Sequence, residues 1–229
     1  MGETDWVISL TDADVCPDAL IGGKAGKLAQ LAAAGFRVPD GFCITVHAYE
    51  HFLANGDLVN LIRMELGRKP LAAMRWEEIW DAALRIRAGF LAQPMPDELG
   101  QAIAGAVRAL GADDPLAVRS SAPGEDAAQR SFAGLHESLV GVTGTKATLD
   151  AVKTVWASLW SDVALLYRQE LGLDPVASRM AVLVQQLVTT TPSGVAFGRD
   201  PRGLGQETGP NNETPQSLQP VSPPSCQPV

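Results

Sequence analysis

The chain has 229 residues, a mass of 24.2 kDa, a formal net charge of −8 and an isoelectric point near 4.9. So acidic a chain lacks the clustered basic residues that non-specific binding to nucleic acid or anionic membranes requires, and we expect neither partner. Hydrophobic residues make up 46% of the sequence, which is enough to build a buried core in one large domain or two small ones.

The cysteines and the N-terminal residues bear on location. Cys16, Cys43 and Cys226 are widely spaced and form no CxxC or CxxH pair, which favours unpaired thiols over a disulfide framework or a zinc site. The opening MGETDWVISL has no basic region followed by an apolar one, and no stretch approaches the ~18 apolar residues of a membrane span. We expect a soluble, cytoplasmic protein.

The first half of the chain predicts mainly helices. In order, we expect a strand over 5–10, a helix that starts in GGKAGK and ends at Gly35, a strand over 42–46, a helix over about 47–66, and two helices separated by Pro94 and Pro96. Apolar stripes should face the core from the last two helices: Trp76, Ile79, Trp80, Ala83, Leu84 and Leu91 in one, and Leu99, Ile103, Val107 and Leu110 in the other.

The second half predicts a strand LAVRSS carrying Arg119, a loop over 120–144, a long helix over about 146–171 and a buried strand over 180–188. Strands mixed with helices, without strict alternation, indicate an α+β domain over residues 1–201. Seven of the sixteen prolines lie in the last 29 residues, and aliphatic side chains are sparse there. We expect residues 202–229 to form a disordered tail.

A first candidate binding motif is Gly22-Gly23-Lys24. Paired glycines before a helix let backbone N–H groups turn towards an anion, and a lysine there adds a charge for phosphate, although a simple turn has the same pattern. The motif is not a Walker A loop, because Ile21 and Leu28 stand where that loop requires glycine and Ser or Thr.

The second candidate is the segment AVRSSAPGEDAAQRSFAGLHES. Arg119, near the end of a strand and followed by hydroxyl groups, can present a planar fork to a phosphate. Gly134 could permit close backbone approach to a ligand. The pair Glu125-Asp126 is interpreted as solvated or paired with Arg130, with a metal contact as the alternative.

Two further features concern polar side chains. Gln185 and Gln186 fall on opposite faces of a strand, so at least one amide is buried and needs a partner, either a ligand or, more commonly, backbone. His47 and His51 are spaced i, i+4 on a helix, but no glutamate completes an HExxH zinc motif, so we interpret them as surface residues.

Taken in order, the segments GGKAGKLAQLAAAGFRVPDGFCIT, AVRSSAPGEDAAQRSFAGLHES and VLVQQLV with SGVAFGRDP resemble the N-terminal ATP-binding domain of the phosphoenolpyruvate synthase and pyruvate phosphate dikinase family, which rifampicin phosphotransferase shares. The resemblance runs from about Leu10 to Pro201. It implies an ATP-grasp-like fold, of which this chain holds the N-terminal part, and an ATP-dependent phosphotransferase that uses ATP and Mg²⁺.

The resemblance also implies roles for single residues. Lys24 and Arg119 would contact the ATP phosphates, with Arg119 in the catalytic role, and Gly134 and Ser138 would lie in the loop that covers the nucleotide. Ser138 stands where the family often has Thr, an exchange that keeps the hydroxyl. Gln185 would sit near the adenine or ribose.

Several family features have no match in this sequence. These are the later metal- and phosphate-binding segment, the domain with the phosphocarrier histidine and the domain that binds phosphoenolpyruvate or pyruvate, so such domains would be separately encoded partners. No metal ligand is assigned, and His136 is not the carrier because it lies within the nucleotide-loop motif. Two hypotheses stay open: an ATP-binding portion that passes phosphate to a carrier histidine and then to pyruvate or a similar acceptor, and an inactive fragment or interaction module.

Overall fold

A five-stranded sheet forms the centre of the fold in the computed structural model, which describes residues 5–111, 113–123 and 135–190. The strands are β1 (Val7–Ser9), β2 (Gly41–Ile44), β3 (Leu116–Ser121), β4 (Ser138–Val142) and β5 (Ala181–Gln186). They lie in the order β1-β2-β5-β3-β4, and every neighbouring pair is antiparallel.

Helices cover both faces of this sheet. They are α1 (Asp18–Ala33), α2 (Val46–Ala54), α3 (Leu58–Leu66), α4 (Trp76–Ala92), α5 (Asp97–Leu110), α6 (Thr145–Ser158) and α7 (Asp162–Glu170). All of these elements lie in the first of the chain's two units, Met1–Thr189, and the second unit begins at Thr190. The α+β prediction is confirmed. Among the described residues, no helix is both long enough and apolar enough to cross a lipid bilayer.

Strand alternation assigns each buried side chain to one of two cores. Phe42 and Ile44 of β2 join Val182 and Val184 of β5 in the larger core, which α2 to α7 cover. Cys43 of β2 points the other way, into a smaller core that also holds Ala181 and Leu183 of β5 and Ile21, Ala25 and Ala29 of α1. Helix α1 is therefore the main helix on this second face, which we call the α1 face, and Val46 at the start of α2 reaches the same core.

The two longest predicted helices are each two helices in the structure. The helix predicted over 47–66 breaks at residues 55–57, between α2 and α3, where Asn55-Gly56 is a turn-forming pair. The helix predicted over 146–171 breaks between α6 and α7, where Ser161 caps α7 by accepting a hydrogen bond from the Ala164 N–H at 3.2 Å. Part of the predicted loop over 120–144 is also strand, because β4 begins at Ser138.

Helix α4 buries a different face from the predicted one. Four residues of the predicted stripe are exposed: Trp76, Trp80, Leu84 and Leu91. The buried residues are Ile79, Ala82, Ala83, Ile86 and Phe90, so small side chains as well as large ones face the core. Leu31 of α1 and Val163 of α7 also fall at helical spacing with other apolar residues in the sequence, yet both are exposed in the structure. The stripe predicted for α5 is confirmed, because Leu99, Ile103 and Val107 are fully buried.

Candidate nucleotide-binding site

The turn that contains Lys24 interrupts α1 and rests on the end of β3. Gly22 has φ 75° and ψ 163°, far from helical values and in a region that only glycine adopts readily. A Cβ atom added to Gly22 would stand 1.8 Å from the carbonyl oxygen of Ser121, so no larger residue fits without displacing the turn. The Gly23 N–H points to the carbonyl oxygen of Ala122 at 3.5 Å, which adds a second link between the turn and β3.

The Ser121 side chain joins this turn to the strand. Its hydroxyl donates a hydrogen bond to the carbonyl oxygen of Ile21 at 2.8 Å and accepts one from the Ala25 N–H at 3.1 Å. Ser121 and the neighbouring Ser120 are both buried, so the two hydroxyls that follow Arg119 do not form an exposed phosphate cradle as the sequence suggested. The role of Ser121 was not predicted from the sequence, since its partners lie about a hundred residues away in the chain.

Strand register places three further candidate residues on the α1 face. Arg119 lies two residues before Ser121 in β3, and side chains two apart in a strand share a face. Ser138 of β4 pairs directly with Arg119, and Gln185 of β5 pairs with Ala117, so both point to the same face as Arg119. Paired side chains start from Cβ atoms about 5 Å apart and diagonal ones about 7 Å apart, which brings Arg119, Ser138 and Gln185 within reach of one small ligand.

The four described candidates differ in exposure and in partners. Arg119 and Ser138 are exposed, Lys24 is half-buried and Gln185 is buried. Arg119 forms no hydrogen bond or ion pair with any residue in the described ranges, so its guanidinium group is available to a ligand. The Gln185 amide donates to the Pro39 carbonyl oxygen at 3.2 Å, which is the backbone alternative considered from the sequence.

Of the other predicted residues, some lie outside the described ranges and some have partners in the structure. Gly134 and the pair Glu125-Asp126 lie outside the described residues. Gln186 donates to the Leu110 carbonyl oxygen at 2.8 Å on the opposite face from Gln185, as strand alternation predicts. The His51 ring packs against Trp6 in a tilted arrangement, with ring centroids 4.5 Å apart, and its Nε2 lies 3.1 Å from the side-chain nitrogen of Asn55. These contacts agree with a surface interpretation of His51.

A cleft of about 360 Å³ opens at the same end of β3, beside the candidate residues rather than among them. Ala122 and Pro123, which follow β3, line it together with His136 and Arg168, while Lys24, Arg119, Ser138 and Gln185 do not. The strand register, not the cleft, brings the candidate residues together.

Arg168 is a buried cation held by backbone. Its guanidinium group donates to the carbonyl oxygens of Ala164, Pro175 and Leu159, and it lies 5.3 Å from the ring centroid of Trp160. Burial lowers the pKa of Arg168 to about 10, so it stays charged at neutral pH. Hydrogen bonds to three carbonyl oxygens and the aromatic face offset the cost of burying this charge.

Burial also lowers the pKa of His136, but here the imidazole loses its charge at neutral pH. Loss of solvent, then the positive charges of Arg168 and Lys24, lower the pKa of this imidazole to about 4, against a smaller opposing effect of a backbone hydrogen bond at Ser158. His136 is therefore neutral at pH 7. Lys24 follows Gly23, whose N–H points to Ala122, so its charge lies near the end of β3.

This shift predicts acid destabilisation. Because the folded-state pKa of about 4 lies below the ordinary value of 6.5, the unfolded chain binds the proton first. The stability that His136 contributes is complete above about pH 6.5 and is lost as the pH falls towards 4, up to about 3 kcal/mol. Urea unfolding of the wild type and of His136→Gln across this range measures it, and the difference between the two free energies of unfolding should shrink in acid. Parallel pH curves would contradict the prediction.

Comparison with known proteins decides the family. The model of the family described as "Pyruvate phosphate dikinase, AMP/ATP-binding domain" matches residues 18–214. The chain belongs to this family. The resemblance seen in the sequence motifs is thereby confirmed, and the family match continues beyond residue 201, where the sequence motifs ended.

Named relatives of this family include phosphoenolpyruvate synthases and rifampicin phosphotransferases. A phosphoenolpyruvate synthase of Aeropyrum pernix is 41% identical over 183 residues, which are 78% of this chain and 22% of the relative. A rifampicin phosphotransferase of a Streptomyces species is 37% identical over 201 residues, or 85% of this chain and 22% of the relative. A phosphoenolpyruvate synthase of Pyrococcus furiosus is 31% identical over 231 residues, which cover 86% of this chain and 28% of the relative. The chain thus spans about a quarter of the length of these relatives.

Proposed function

We propose that this chain supplies part of the ATP site of a phosphotransferase that passes phosphate from ATP to a carrier histidine and then to pyruvate or a similar acceptor. The observation that supports it is the attachment of the Gly22–Lys24 turn to the end of β3, on the sheet face that also carries Arg119. Two cations from distant parts of the chain are thereby brought to one face. A polyphosphate suits such a surface better than an uncharged ligand does.

Each candidate residue has a definite role in this proposal. Lys24 and Arg119 bind the phosphates, and Arg119 also stabilises the charge that spreads over the phosphate oxygens during transfer. Ser138 offers a hydroxyl group beside Arg119, and Gln185 lies further along the sheet towards the adenine or ribose. By the family resemblance, Gly134 would lie in the loop that covers the nucleotide.

The metal ion and the partner domains belong to the same proposal. Mg²⁺, when bound with ATP, would offset the negative charge of the phosphates during transfer. Among the described residues, no three acidic, histidine or cysteine side chains come together to hold a metal ion, so we assign it no ligand in this part of the chain. The carrier histidine and the acceptor-binding domain would be supplied by other domains or chains.

Calorimetry with Mg-ATP tests the proposal. We expect the wild type to bind, and Lys24→Ala and Arg119→Ala each to weaken binding about tenfold or more, because each removes a charge-assisted contact with phosphate. Lys27→Ala and Arg37→Ala are matched controls: each removes the same charge from an exposed position, and each should leave affinity within about twofold. No heat from the wild type at millimolar ATP would favour the inactive fragment or interaction module instead.

A further inference from the structure

The Ser121 hydroxyl occupies an unusual place in the backbone of α1. In an uninterrupted helix, the N–H of Ala25 would bond to the carbonyl oxygen of Ile21, four residues earlier. Ser121 instead bonds to both of these groups, at 3.1 Å to the first and 2.8 Å to the second. A side chain from β3 has therefore been inserted into the hydrogen-bond ladder of the helix, which is a recognised cause of helix kinks.

The inserted hydroxyl stabilises the non-helical turn at Gly22. The helix starts again after Gly22, so its first N–H groups lack partners within the helix and need an outside acceptor. Ser121 provides that acceptor in the manner of an N-cap, but from a strand about a hundred residues away. Removing the hydroxyl would leave the Ile21 and Ala25 groups free to bond each other, which would close the turn and move Lys24.

The same serine lies on the strand that carries Arg119. We call the two hydrogen bonds from Ser121 to Ile21 and Ala25 the clamp on α1. Two strand residues of the same face are about 6.6 Å apart, so the clamp lies next to Arg119. We infer that Ser121 is a positioning residue for nucleotide binding, which sets the position of Lys24 relative to Arg119. This inference rests on the proposed function, and it concerns the polyphosphate rather than the nucleoside, because both cations face the phosphates.

The neighbouring serine offers a matched control. Ser120 is also buried, at 2% exposure against 0% for Ser121, and it precedes Ser121 directly in β3. Strand alternation turns it to the opposite face, away from α1. Ser120→Ala and Ser121→Ala therefore make the same chemical change at adjacent buried positions, and only the second removes the clamp.

The experiment compares ATP with adenosine on the full chain by calorimetry. We expect Ser121→Ala to raise the Kd for ATP about five- to tenfold, the effect of losing one cap, and to leave the Kd for adenosine within about twofold. Ser120→Ala should change neither value by more than about twofold. In a Lys24→Ala background, Ser121→Ala should have little further effect on the Kd for ATP, because the serine acts through Lys24.

Amide hydrogen exchange at Ala25 shows separately whether the clamp has been broken. A changed exchange rate at Ala25 in Ser121→Ala with an unchanged Kd for ATP would overturn the inference and leave the serine a purely structural role. Equal losses in Ser120→Ala and Ser121→Ala would overturn it as well, since they would point to general damage to β3. A wild type that binds no ATP would overturn the proposed function itself, which distinguishes that failure from the other two.

Discussion

Gly22→Ala is expected to weaken ATP binding about tenfold or more and to lower the free energy of unfolding by about 3 kcal/mol or more. A non-glycine residue at such a backbone geometry costs roughly 1–3 kcal/mol by itself. The added Cβ would also stand 1.8 Å from the Ser121 carbonyl oxygen, a backbone atom of a buried strand that cannot move aside cheaply. The turn must therefore lift off β3 and take Lys24 with it. Urea unfolding and calorimetry with Mg-ATP measure the two losses.

Gly35→Ala separates the backbone cost from the steric clash. Gly35 follows the other end of α1 and also has a positive φ, of 86°, but a Cβ atom there would meet nothing within 4 Å. We expect this variant to lose only about 1 kcal/mol, the cost of a left-handed conformation, and to bind ATP like the wild type. Equal losses of stability in the two variants, or normal ATP binding by Gly22→Ala, would contradict the packing argument.

Local sequence predicts the parts of this site better than it predicts their assembly. Two glycines before a helix indicated a turn at Gly22, and an apolar run ending in polar residues indicated the strand of Arg119. The bonds that join them run from Ser121 to residues 96 and 100 positions away. No local pattern marks such partners, so the joining serine could be found only from the structure.

Helix ends show a second limit of periodicity. Apolar residues recur at helical spacing through both breaks, because the helices on each side pack against the same core. The residues that mark the two helix ends are the turn pair Asn55-Gly56 and the N-cap Ser161. Strand β4 escaped prediction because it is short, three of its five residues are exposed, and it lies in a stretch rich in Ser, Gly and charged residues.

The face of α4 shows a third limit. Helix α4 has apolar residues on more than one side, and only some of them are buried. Periodicity alone therefore does not show which side faces the core. The structure buries the stripe that includes Ala82 and Ala83. Small side chains there let neighbouring helices approach closely, which a ranking by side-chain size alone would miss. The tryptophans of α4, Trp76 and Trp80, are left exposed.

Trp156→Ala is expected to be among the most destabilising single changes in the core, lowering the free energy of unfolding by about 3–5 kcal/mol. Trp156 is fully buried in α6, with ring centroids 5.0 Å from Phe52 and 5.8 Å from Tyr49, so its removal leaves a large cavity between α2 and α6. Urea unfolding followed by circular dichroism measures the loss, provided that the slope of the transition stays unchanged.

Trp80→Ala is the matched control for this change. Trp80 lies in an apolar stripe that the sequence predicts to be buried, yet it is 46% exposed, whereas Trp156 is 0% exposed. The same substitution at Trp80 should therefore change stability by only about 0.5 kcal/mol, as at other surface positions. Similar losses at the two positions would mean that the outward face of α4 is covered in solution, whereas a difference of several kcal/mol would follow directly from their unequal burial.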